Sequence, residues 1–156
     1  MSSVLRFKTH SGEETQAVGR QIAQLLPGRG VVLLIGNLGA GKTTLTKGIV
    51  EERGAAKADE VSSPTFTLIH EYGNPVRIYH VDLYRLETIE QVQRLGLDEL
   101  MDSAALVLVE WGERFSTWFP EQRIEIRFTN IGGDNRKIEI SGLNTTEKRK
   151  RVGNAI

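Results

Sequence analysis

The chain contains no cysteine. That absence excludes disulfides, thiolate metal sites and cysteine nucleophiles together. A net charge is missing as well, since twenty basic residues balance twenty acidic ones. No global field therefore draws the protein to nucleic acid, and any RNA contact has to come through a local patch or a partner protein. No apolar run approaches the ~20 residues needed to cross a bilayer. The opening stretch "MSSVLRFKTH" lacks the apolar core of a secretory signal, so the expected setting is the cytoplasm, with no membrane partner. Neither an internal repeat nor a linker divides the sequence. With 156 residues, 39% of them apolar and 26% charged, the composition is that of one globular domain with a single good core.

What is present begins with alternation. "VLRFK" (4–8) reads as a short strand. Ser11 followed three residues later by Glu14 is a capping-box signature, and Val18, Ile22, Leu25 and Leu26 recur at helical spacing behind it. "PGRG" (27–30) stops that helix. "VVLLI" (31–35) is a β-branched and apolar run with no polar break, the pattern of a strand covered on both faces in a parallel sheet. Leu45, Ile49 and Val50 then mark a second helix. "FTLIHEYG" (66–73) and "VRIYHVDLY" (76–84) flank a "GNP" turn and read as a hairpin with partly polar faces. "ETIEQVQRLGLDELM" (87–101) is helical with a break at Gly96. "ALVLVE" (105–110) is a second fully apolar run, and "RIEIRF" and "RKIEI" alternate around "NIGGDN". The expected architecture is α/β: a P-loop NTPase-like mixed sheet flanked by helices, in a single domain over 1–143. The remainder, 144–156, has little apolar content and reads as a frayed tail.

Between the buried strand and the second helix stands "GNLGAGKTT" (36–44). Gly36-x-x-x-x-Gly41-Lys42-Thr43 matches the P-loop pattern in full and in the required context. Glycines let the backbone turn so that amide groups point at phosphate oxygens, and the helix beginning near Lys42 adds the positive end of its dipole. Lys42 carries a mobile charge to the β- and γ-phosphates, and Thr43 offers a hydroxyl to Mg²⁺. Thr44 either binds an α-phosphate oxygen or serves the first helical turn.

A P-loop needs an acidic partner at the end of a nearby strand, and two carboxylates compete for the role. Asp82 ends a run containing Arg77, Tyr79 and His80, which predicts one wet face. Glu110 ends a run without any polar residue, as expected of a central parallel strand that delivers its carboxyl end to the ligand crevice. Glu110 is therefore the expected Mg²⁺ ligand, and Asp82 the candidate for orienting the attacking water or a sensor loop. Trp111 is either a core anchor or a shaper of the site. His10, His70 and His80 show no metal-ligand spacing and are assigned ordinary surface or packing roles. A guanine-reading N-K-x-D is missing and Asp82 is followed by "LYR", so a GTPase switch is disfavoured. A small-molecule P-loop kinase is the alternative, although the region after Glu110 is too short for the usual arginine-rich lid.

"GNLGAGKTTLTKG", "VSSPTFTLIHEY", "IYHVDLYRL" and "LVEWGE" occur in this order and at this spacing. Together they resemble the TsaE (YjeE) family, P-loop ATPases needed to make threonylcarbamoyladenosine in bacterial transfer RNA. The resemblance covers roughly residues 5 to 140. It implies slow ATP hydrolysis alone and action with the transferase TsaD and its non-catalytic relative TsaB, with tRNA reached through that complex. It carries the nucleotide-binding P-loop onto Gly39, Ala40, Gly41, Lys42, Thr43 and Thr44, and the Mg²⁺ ligands onto Thr43 and Glu110. Functionally important positions fall on Asp82 and Trp111, and the segment near Ser11 lies beside the nucleotide. Ser63-Pro64-Thr65 resembles a switch segment, with Thr65 placed to sense the γ-phosphate. Asn37 stands where the family often has Asp, at a variable P-loop position.

Overall fold

A computed structural model describes residues 4–143. The expected tail at 144–156 lies outside the described residues. Seven strands form one mixed sheet in the order β1-β7-β6-β2-β5-β4-β3. Its centre is four parallel strands: β6 (Ile124–Asn130), β2 (Gly30–Ile35), β5 (Leu106–Glu110) and β4 (Ile78–Asp82). β1 (Leu5–Thr9) and β7 (Arg136–Ser141) extend one side in antiparallel fashion, and the four-residue β3 (Ile69–Tyr72) closes the other.

The two apolar runs take the places their patterns require. β2 lies between β5 and β6, and every residue of β5 is buried. Side chains alternate across the sheet and feed two cores. Val32, Leu34, Leu106 and Leu108 face α1 (Gly12–Ala23) and α2 (Lys42–Glu52). Val31, Leu33, Val107 and Val109 face the opposite layer, to which α3 (Ile89–Arg94) contributes Val92 and α4 (Leu97–Met101) contributes Leu97.

Only half of the capping box expected at the start of α1 forms, because the Glu14 carboxylate accepts from the His10 amide and not from that of the cap residue Ser11. Glu14 N donates to Ser11 Oγ at 3.1 Å, and His10 N donates to Glu14 Oε1 at 2.8 Å. At the other end, Arg53 from the α2 terminus donates to the carbonyls of Ala23, Leu26 and Pro27, satisfying acceptors that the helix end leaves without partners. The two helices cross at Gly19 and Gly48. A Cβ on Gly48 would stand 3.0 Å from Gly19 Cα and collide with the Gln16 carbonyl. Only glycine permits this approach, which holds α2 close against α1.

Two expectations require correction. The strand expected across 66–73 is confined to Ile69–Tyr72, because the chain before it folds back: Leu68 has φ +71° and donates its N–H to the Pro64 carbonyl at 2.6 Å. The wet face expected on the Asp82 strand is also absent. β4 is an interior strand between β5 and β3, His80 is 0% exposed and Asp82 only 2%. The polar letters in this run mark a buried site.

Candidate active site

The carboxyl ends of the parallel strands meet the P-loop at one edge of the sheet. After Ile35 the chain leaves β2, turns through Gly39 (φ +74°) and Gly41 (φ +103°), and enters α2 at Lys42. Those left-handed conformations suit glycine and would strain other residues. The N-cap of α2 is Gly41, which has no side chain to accept from the first-turn amides. α1 and α3, by contrast, carry Ser11 and Thr88 as side-chain caps. The uncapped N-terminus of α2 offers its donors and its dipole to an anion.

Lys42 is 4% exposed. Its Nζ donates to the Gly36 carbonyl at 2.7 Å and lies 3.9 Å from the centroid of the Trp111 ring. Burial pushes its ammonium below the ordinary lysine range, while Glu110, Glu113 and Asp82 pull the other way. Trp111 itself adopts φ +65° and tilts against Tyr84, with ring centroids 5.1 Å apart.

Strand register brings the two acids side by side, Asp82 opposite Glu110. They have different partners. Glu110 Oε2 is 3.4 Å from Thr43 Oγ1 and 2.5 Å from His80 Nε2. Asp82 holds the 63–68 segment: its Oδ2 accepts from Thr65 Oγ1 at 2.7 Å and Ser63 Oγ at 3.4 Å, and its Oδ1 accepts from Tyr84 N at 2.8 Å. Thr65 is thus drawn to Asp82. Ser11 caps α1 beside the start of α2, where a Cβ on Gly12 would lie 4.0 Å from Thr44 Cγ2.

No group of three or more His, Cys, Asp or Glu side chains among the described residues could cage a metal by itself. A divalent ion held by Thr43 and Glu110 would need further oxygens from phosphate and water, the usual habit of Mg²⁺. A cleft of about 560 Å³ flanks the P-loop on the β6 side, with Asn37, Leu38, Glu113, Arg127 and Asn130 in its walls. Its volume suits a small organic group.

Sequence reasoning missed three residues. His80 could have been found from alternation, because it lies two positions before Asp82 and shares its face. Arg114 donates to the carbonyls of Leu83, Tyr84 and Leu86, tying the turn after Trp111 to the "DLYRL" segment. Arg136 reaches from β7 to the carbonyls of Gly39 and Ala40. No local signal marks that last contact, which spans 96 residues.

Residues 9–138 match the family model described as "Threonylcarbamoyl adenosine biosynthesis protein TsaE". The chain belongs to the TsaE family. It is 39% identical over 140 residues to the tRNA threonylcarbamoyladenosine biosynthesis protein TsaE of Bacillus subtilis, covering 89% of this chain and 86% of that one. The TsaE of Treponema pallidum is 34% identical over 137 residues, covering 88% of this chain and all of the relative. The crystal structure of Bacillus subtilis YdiB superposes with a TM-score of 0.76 at 31% identity, covering 100% of this chain and 99% of that one. Family membership and the P-loop geometry thus coincide over the same residues.

Proposed function

We propose that the protein binds and slowly hydrolyses Mg²⁺-ATP and acts as a nucleotide switch in the threonylcarbamoyladenosine modification of tRNA. The observation that carries this reading is Thr43 Oγ1 lying 3.4 Å from Glu110 Oε2 beside the uncapped P-loop helix. In P-loop enzymes a hydroxyl and a strand-end acid share the nucleotide's magnesium ion.

Each residue has a task in this scheme. The amides of 39–44 and the dipole of α2 bind phosphate oxygens. Lys42, already desolvated, exchanges the Gly36 carbonyl and the Trp111 face for phosphate oxygens. Thr43 and Glu110 would hold Mg²⁺, which would supply positive charge to the phosphates. Water attacks the γ-phosphorus, the bond to the β–γ bridging oxygen breaks, and the water's proton leaves with the products. Asp82 holds Thr65 and Ser63 in reserve. Release of Thr65 toward the γ-phosphate couples nucleotide state to the 63–68 segment, the order–disorder device of other nucleotide switches. Arg85 lies over the Phe66 ring, 5.3 Å from its centroid, so it is an anchor of the segment in this conformation. No arginine among the described residues is assigned as a finger, and without one hydrolysis by the chain alone is slow.

The partners in this reading are TsaD and TsaB, with tRNA met through their complex in the cytoplasm. The balanced charge of the chain favours a protein-facing role over a direct grip on RNA. The deciding experiment mixes the protein with TsaD, TsaB, tRNA, a threonylcarbamoyl donor and ATP, and follows multiple-turnover modification. Modification should stall with Lys42→Ala, and hydrolysis should change rate when the partners are added. Undiminished modification with Lys42→Ala would remove the switch reading, and transfer of phosphate to a metabolite would favour a kinase.

A further inference from the structure

His80 is a costly residue for its position. Its side chain is 0% exposed, on the face of the sheet shared with Ile78 and Leu108. An apolar side chain would fill such a place without desolvating a polar ring. Nδ1 is buried and finds no hydrogen-bond partner among the described residues. Packing and stability therefore leave the choice of histidine unexplained.

Nε2 supplies the explanation. It lies 2.5 Å from Glu110 Oε2, and because the carboxylate accepts, Nε2 carries the hydrogen of this bond. The geometry follows from the register. In the parallel β4–β5 pair His80 stands opposite Leu108 and Asp82 opposite Glu110. His80 and Glu110 are thus diagonal neighbours on one face, within reach of long side chains. The same oxygen of Glu110 lies 3.4 Å from the Thr43 hydroxyl. Neither His80 nor Thr43 hydrogen-bonds Oε1.

We propose that His80 is a positioning residue for the divalent cation: it fixes the carboxylate of Glu110 in the orientation that meets the metal beside Thr43. The proposal rests on the reading of Thr43 and Glu110 as the cation's protein ligands. An outer hydrogen bond of this kind lowers the cost of orienting a ligand, and its loss typically weakens metal binding 10–100-fold. Anion binding at the P-loop amides and Lys42 does not use His80 and should be indifferent to it.

The test measures the affinity of a fluorescent ADP analogue with Mg²⁺ and with chelator, so that catalysis plays no part. In the wild-type protein Mg²⁺ should tighten binding. His80→Phe, which fills the space without a donor, should lose about tenfold or more of that tightening while its metal-free affinity stays unchanged. His80→Gln keeps an N–H donor and should recover much of the effect. If His80→Phe does not fold, His80→Met is compared with His80→Gln on the same two affinities. A donor-free variant that keeps the full Mg²⁺ effect overturns the proposal. So does one that loses metal-free and Mg²⁺ affinity equally, because His80 would then only support the fold. A wild-type protein with tight ADP binding and no response to Mg²⁺ would instead strike the metal-site reading itself.

Discussion

Lys42 and Trp111 are in direct contact: the ammonium lies 3.9 Å from the centre of the indole ring while donating to the Gly36 carbonyl. A cation held on an aromatic face is attracted by the ring quadrupole, more strongly once water is excluded. The lysine that would serve the phosphates is parked on the residue that follows Glu110.

Nucleotide binding should therefore change the emission of Trp111. Because Trp118 also emits, the measurement belongs in a Trp118→Phe background. Addition of ADP should shift the Trp111 signal, and the shift should vanish with Lys42→Ala while the variant stays folded. A signal that ignores ADP in a protein shown to bind it would mean that Lys42 never leaves the ring.

Lys42 also sets a pH dependence of known sign. Burial lowers its folded-state pKa below the unfolded value of 10.5, so between the two the unfolded chain binds more protons. The penalty of burying the charged amine is present at neutral pH and is relieved as pH rises through the folded pKa toward 10.5. Lys42→Met should therefore be more stable than wild type near neutrality, with the difference shrinking at alkaline pH. Denaturant midpoints across that range would check it, and a difference that widens with pH would reverse the assignment. Nucleotide binding should show the complement, taking up a proton at alkaline pH.

The adjacent acids should separate by chemistry. Glu110→Gln keeps shape and loses the charge offered to Mg²⁺, so hydrolysis should fall by on the order of 10² or more. Asp82→Asn should leave Mg²⁺-dependent ADP affinity nearly intact. It should loosen the 63–68 segment, seen as faster amide hydrogen exchange there, because Thr65 and Ser63 lose a charged acceptor. The opposite pattern would exchange the two roles.

Gly48→Ala tests the helix crossing. Alanine favours a helix interior by about 1 kcal/mol over glycine. Here its Cβ would collide with the Gln16 carbonyl on α1, so the net effect should be destabilisation of about 1–3 kcal/mol. Thermal or denaturant unfolding measures it, and a stabilised variant would show that α1 can move aside.

Local chemistry made much of the molecule readable. "VVLLI" and "ALVLVE" had no polar break and became the central parallel strands β2 and β5. Ser11 caps α1 by accepting from Glu14 N, and Gly96 (φ +73°) breaks the helix where expected. The P-loop was legible because its spacing and both flanks are local. "IYHVD" was misread because alternation reports polarity without saying what covers it, and a polar face turned toward another acid looks like one turned toward water. Arg136 on the P-loop carbonyls and Arg114 on the "DLYRL" carbonyls are products of topology, and no window of sequence contains both partners.

The sheet order gives the molecule a gradient. β2 is hydrogen-bonded along both sides by parallel neighbours, whereas β4 is guarded on its outer side only by the four-residue β3. Phosphate would thus arrive at the stiffest part of the fold, and the acid that grips Thr65 and Ser63 sits one strand from the rim. Opening of the rim costs few backbone bonds, while opening of the centre is nearly global unfolding. The fold can therefore yield at its margin without disturbing the grip on its ligand.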